Sequence, residues 1–200
     1  MTYPAILFDF DGVLMDSEPV HYACWKEVLA PMGIHIEWEP YRQHCVGASE
    51  PATMDYYARL RNPPYDAGAI RALYPAKKEL FRARMERELP FVPGIGDFLR
   101  SLAGRYKLGM VSSSSRVELE PLLVRGGIRD CFQALVFGED VEHHKPAPDA
   151  YLLAARLLGV ENALVVEDSD AGLESARRAG FDAVRIPEAA RTVELVRAAL

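Results

Sequence analysis

Apolar residues gather along this chain in five short runs, each rich in Ile, Leu, Val or Phe and each ending in polar residues. They are AILFDFD at 5–11, KLGMVSS at 107–113, ALVF at 134–137, ALVVEDS at 163–169 and DAVRI at 182–186. Runs of this length, alternating with helical patterns, predict strands of a parallel sheet covered on both faces. The helices between them have legible ends. Asp149 follows Pro146 and Pro148 at a helix start, Gly159 ends YLLAARLLG, and Gly180 closes DAGLESARRAG, as capping chemistry requires.

From about residue 16 to about residue 90 the strand pattern gives way to helical periodicity, broken at Pro31, Gly33, Pro40, Pro51, Pro63, Pro64 and Pro75. That block reads as a small helical domain inserted after the first strand. Its clearest member is EPVHYACWKEVLA at 18–30, where Val20, Cys24 and Val28, or His21, Trp25 and Leu29, recur along one broad face. The expected fold is α/β, a Rossmann-like doubly wound parallel sheet core built from residues 1–15 and 91–200. An α-helical cap occupies 16–90, with paired hinges at 14–18 and 88–94.

Composition narrows the function. The 200 residues are 50% hydrophobic and 26% charged, an ordinary globular balance with room for a full core. A net charge of -6 without a Lys/Arg-rich run argues against nucleic acid or an anionic membrane as partner. The opening MTYPAILFDFDG lacks a basic stretch and is cut by Asp9 and Asp11, so it is not read as a signal peptide. No apolar run approaches the ~18 residues of a membrane span. Cys24, Cys45 and Cys131 are odd in number and widely spaced, which fits reduced buried thiols. The expected address is cytoplasmic and the expected state a monomer or weak dimer.

In open parallel sheets, ligands bind beyond the carboxyl ends of the strands. Those ends here collect Asp9 and Asp11, Ser112, Lys145, and Glu167 with Asp168. Clustered carboxylates repel one another unless a cation sits among them, and oxygen ligands without His or Cys point to Mg²⁺. A cleft with Mg²⁺, a lysine, a serine hydroxyl and a spare carboxylate suits phosphate. Taken singly, each feature has a plainer reading. Asp11-Gly12 is a common turn pair, Ser114 or Ser115 an expected helix cap, Lys145 a loop lysine, and Glu167-Asp168 an acidic helix start.

In order and spacing, FDFDGVLMDSEP at 8–19, VSSSS at 111–115, HKPAPD at 144–149 and VVEDSDAG at 165–172 resemble the four motifs of the haloacid dehalogenase superfamily. The helical insertion after the first motif resembles the cap of its β-phosphoglucomutase and phosphoglycolate phosphatase branch. The resemblance implies that Asp9 attacks phosphorus to give an aspartyl phosphate. Asp11 would protonate the leaving oxygen and later deprotonate water. Ser112 would bond a phosphoryl oxygen, and Lys145 would neutralise charge shared with Asp9. The implied metal ligands are Asp9, the backbone carbonyl of Asp11, and Asp168, with Glu167 either a direct ligand or one layer behind.

For substrate contacts the sequence offers Ser113, Arg116, His21 and Gly47. His21 matches a histidine of the mutase cap, and Gly47 matches the family glycine in CVGASEP at 45–51. Where the mutase carries a phosphate-binding lysine and arginine, this chain has Val46 and Glu50. Arg116 is then the nearest candidate for a second anion contact, against its alternative as a solvated arginine in the first turn of a helix at 115–126. The expected activity is hydrolysis of a small phosphorylated metabolite, such as a sugar phosphate. A phosphomutase is the first rival and a non-catalytic phosphate-binding protein the second.

Overall fold

The computed structural model describes residues 3–46, 48 and 50–200. The chain divides into two compact units, Met1–Asp16 with Leu89–Leu200, and Ser17–Glu88. The first contains a parallel sheet of β1 (Ala5–Phe8), β2 (Lys107–Val111), β3 (Ala134–Val136), β4 (Leu164–Glu167) and β5 (Asp182–Arg185), in the order β3-β2-β1-β4-β5. β1 therefore lies at the centre, with Ile6 paired to Leu108 on one side and to Leu164 on the other. The four residues of β1 and of β4 are all buried, as expected of strands covered on both faces. The chain has the predicted α/β Rossmann-like fold.

In the second unit, α1 (Glu18–Leu29), α2 (Trp38–His44), α3 (Glu50–Ala58), α4 (Ala67–Ala72) and α5 (Tyr74–Arg87) form the helical block. Their own core includes Trp25, Leu29, Ile34, Tyr41, Tyr57 and Ile70. The sheet is flanked by α6 (Ile95–Ala103), α7 (Arg116–Arg125), α8 (Asp149–Leu158), α9 (Asp170–Ala179) and α10 (Thr192–Ala199). Gly159 and Gly180 close α8 and α9 in the left-handed conformation. α8 packs on β1, β2 and β3, and α9 on β4 and β5. The buried core between them includes Leu7, Val111, Tyr151, Ala154 and Val165.

The two chain crossings are tied to each other inside the sheet unit. Val92 N–H donates to Leu14 O at 3.0 Å and Asp16 N–H to Pro90 O at 2.9 Å. Thr192 Oγ1 donates to Val13 O at 2.8 Å, so α10 pins the turn that follows Asp9. Gly12, at φ 71°, holds that turn in a conformation costly for residues with a Cβ. A Cβ there would also overlap the Asp168 carboxyl group. Cys24, Cys45 and Cys131 are free and buried.

Candidate active site

Asp9 is the first residue beyond β1. Its N–H still donates to Val166 O at 2.9 Å, so the sheet ladder holds its backbone while its side chain leaves at the carboxyl end, 7% exposed as a residue. On β2, Ser112 N–H extends the pairing to Val136 O at 2.9 Å. Ser112 Oγ accepts from Ser114 N–H at 3.1 Å, leaving the hydroxyl hydrogen as the group this side chain can offer a ligand. Ser113 is exposed. Ser114 Oγ reaches Asp11 Oδ2 at 3.5 Å, the outer limit of a hydrogen bond.

Lys145, in the loop before α8, joins the strands chemically. Its Nζ lies 2.5 Å from Asp9 Oδ1 and 2.5 Å from Glu167 Oε1, with Val111 O at 3.4 Å. Burial works against its charge, but Asp9 and Glu167 hold the ammonium pKa well above its usual value. Glu167 ends β4 with no solvent exposure. Besides Lys145, it accepts from Tyr151 Oη at 2.8 Å, Asp168 N at 3.0 Å, Ser169 N at 3.1 Å and Ser169 Oγ at 3.0 Å. Burial would raise the Glu167 carboxyl, yet Lys145, the Ser169 backbone and Tyr151 together hold it below the usual range. Ser169 also caps α9, accepting from Gly172 N–H at 3.0 Å.

Negative charge exceeds positive charge in this cluster. Asp9, Glu167 and Asp168 present oxygens within 4.8 Å of one another. Burial, together with Glu167, Asp168 and Asp11, pushes the Asp9 carboxyl well above its ordinary value despite Lys145. A cation among these oxygens would relieve that strain. Three carboxylates without imidazole or thiolate fit a hard divalent ion such as Mg²⁺.

Residues 6–186 match the family described as haloacid dehalogenase-like hydrolase. The chain belongs to that family. As a haloacid dehalogenase-like hydrolase it is 33% identical over 186 residues to "Fructose-1-phosphate phosphatase YqaB" of Escherichia coli, covering 92% of this chain and 96% of that one. "Protein CbbY" of Rhodobacter capsulatus is 32% identical, covering 94% and 86%. The crystal structure of CbbY from Rhodobacter sphaeroides in complex with phosphate superposes with a TM-score of 0.75 at 30% identity, covering 91% of this chain and 85% of that one. With these relatives, the haloacid dehalogenase-like chain is an enzyme of the phosphoric monoester hydrolase class. Among the described residues no helix is long and apolar enough to cross a membrane.

The structure brings Asp9, Ser112, Lys145, Glu167 and Asp168 to neighbouring strand ends, but it does not bring Arg116 to them as a free cation. Arg116 Nη2 lies 3.0 Å from Asp140 Oδ2, and its guanidinium stacks 4.3 Å from the Phe137 ring centroid. Its N–H donates to Glu139 Oε1 at 2.9 Å. Its charge is thus paired within the sheet unit. Ser115 stands at the start of α7 without capping it, its Oγ donating instead to Glu118 Oε2 at 3.0 Å. His21 lies in the helical unit. Its Nδ1 is 2.8 Å from Lys77 Nζ, and its ring stacks on Phe81 at 4.1 Å. Burial and the Lys77 charge hold the imidazole pKa well below its ordinary value, so Lys77 donates to a neutral ring. Gly47 lies outside the described residues.

Sequence reasoning missed Tyr151, Ser169 and Lys77. In the sequence Tyr151 stands two residues after Asp149, at the start of an amphipathic helix, and reads as a core aromatic. Ser169 reads only as a cap. Lys77 sits in the charged run AKKELFRARMER, yet is 3% exposed among Trp25, Tyr74 and Phe81.

Proposed function

We propose that this chain is a Mg²⁺-dependent phosphatase of a small phosphorylated sugar, working through an aspartyl phosphate on Asp9. The observation that carries this reading is the Lys145 ammonium 2.5 Å from both Asp9 and the buried Glu167, beside Asp168 at the carboxyl ends of the central strands. Lys145 aims Asp9 and favours its ionised form against the burial that opposes it. Asp9 attacks phosphorus, and the bond to the ester oxygen breaks as Asp11 gives that oxygen its proton. Asp11, now a base, takes a proton from water; the water oxygen then bonds phosphorus, releasing phosphate and restoring Asp9. Ser112 holds a phosphoryl oxygen with its hydroxyl hydrogen throughout. Mg²⁺ would be held by Asp9, the Asp11 backbone carbonyl and Asp168, with Glu167 at the same cluster, and when bound it supplies charge neutralisation for the phosphoryl oxygens.

The substrate class rests on the relatives. YqaB is named for fructose 1-phosphate, and a structure of the Rhodobacter sphaeroides CbbY holds xylulose-(1,5)bisphosphate. Val46 and Glu50 here offer no cation for a second phosphate, which favours a monophosphate. Buried, unpaired thiols suit a reducing compartment, and the cytoplasm is the proposed location. The test is Asp9→Asn, expected to keep the fold and lose turnover of p-nitrophenyl phosphate and fructose 1-phosphate. Mass spectrometry of a quenched wild-type reaction should find the added phosphoryl mass on Asp9. Finding it on a serine or histidine refutes the mechanism.

A further inference from the structure

Tyr151 touches no solvent, so its hydroxyl does not read substrate. Its Oη instead donates to Glu167 Oε1 at 2.8 Å, the oxygen that also accepts from Lys145 at 2.5 Å. The Lys145 ammonium lies 5.0 Å from the Tyr151 ring centroid, within cation–π range. Tyr151 thus meets the ion pair twice, with its ring on the cation and its hydroxyl on the anion. Packing alone would be served by the ring, since α8 fills this part of the core with Ala150, Ala154 and Leu158.

We propose that Tyr151 is a positioning residue for phosphoryl transfer, whose hydroxyl draws on the charge of Glu167 so that Lys145 stays shared with Asp9. The proposal rests on the reading of Asp9 as the nucleophile. Lys145 is divided between two carboxylates at equal distances. Whichever carboxylate carries the more concentrated charge takes the larger share of the ammonium. Four further bonds spread the charge of Glu167. Of these, only the Tyr151 bond falls on the oxygen that Lys145 uses. Removing it concentrates charge on Oε1 and draws the ammonium away from Asp9, so the loss should appear in the chemical step rather than in substrate binding.

Tyr151→Phe keeps the ring and removes one oxygen. The expected result is a kcat for p-nitrophenyl phosphate lower by roughly ten- to a hundred-fold. KM should stay within about two-fold, and the thermal midpoint should move by only a few degrees. The deciding measurement is a double-mutant cycle with Glu167→Gln. If Tyr151 acts through Glu167, its loss falls below about three-fold once residue 167 is glutamine, because the neutral amide leaves no charge for the hydroxyl to spread. Additive losses, or a change in KM with kcat preserved, overturn the proposal. Calorimetric affinity for orthovanadate with Mg²⁺ runs the same cycle without turnover. Coupling in vanadate affinity with no wild-type hydrolysis sinks the phosphatase reading and keeps Tyr151 in its role. Hydrolysis with additive losses sinks the Tyr151 role alone, and a wild type that neither hydrolyses nor binds vanadate sinks both.

Discussion

Gly172 lies in the first turn of α9, and a Cβ built there would overlap the whole carboxyl group of Glu167. Alanine in a helix is ordinarily better than glycine by about 0.5–1 kcal/mol, so propensity alone makes Gly172→Ala stabilising. The overlap reverses the sign. Restoring van der Waals separation, about 3.5 Å between carbon atoms, moves the carboxyl group by roughly an ångström or more. That shift takes hydrogen bonds of 2.5 to 3.1 Å beyond useful length. A hydrogen bond to a charged group contributes about 1.5–3 kcal/mol, so losing two of the five donors costs about 3–6 kcal/mol before the propensity gain. For a chain of this size each kcal/mol lowers the midpoint by about 2–4 °C, which puts the fall near 5 °C or more after that gain. Turnover should fall with it, because Lys145 loses its anchor. Gly96→Ala in α6 is the control, since the Cβ there meets mainly the flexible end of Arg100; it should be neutral or stabilising. Calorimetric unfolding and p-nitrophenyl phosphate kinetics of both variants decide the matter. A Gly172→Ala protein as stable and active as wild type refutes the reasoning.

Excess chelator should abolish activity. Asp168→Ala should weaken Mg²⁺ binding by calorimetry and lower turnover by roughly two to four orders of magnitude; full activity in chelator would count against the metal. Arg116→Ala should leave KM for fructose 1-phosphate within about two-fold and cost about 0–1 kcal/mol of stability as an exposed pair; a large selective rise in KM would restore Arg116 as a substrate contact. His21 binds protons more weakly folded than unfolded, so its share of stability is present above about pH 6.5 and is lost as pH falls below that value. Urea unfolding from pH 8 to 5 should show a shallower acid loss in His21→Gln, and an unchanged slope would reject the assignment.

Where the sequence was legible, one physical constraint acted at a time. Strands buried on both faces must be apolar throughout, so β1 and β4 stood out, and polar residues at their carboxyl ends could then only be turns or a site. Asp9, Ser112, Lys145 and Glu167 were therefore readable as a group. The pairing of Arg116 with Asp140 was not legible, because Asp140 lies in a later turn and no local pattern relates the two. Tyr151 and Lys77 were invisible for the opposite reason. An aromatic on an apolar helix face and a lysine in a charged run already have ordinary explanations, and only the fold shows the polar atoms they meet.

The central place of β1 has a cost during synthesis. Ile6 waits for Leu108 and then for Leu164 before both its neighbours exist, while Ser17–Glu88 is contiguous and has its own core. The helical unit can therefore fold on the ribosome while the apolar AILF segment remains a bare strand. A nascent chain halted before residue 164 would carry β1 with one edge open, immediately ahead of Asp9. Such a chain lacks Glu167 and Asp168 as well as the second neighbour of β1, so the strand-end cluster is assembled only after β4 has been made.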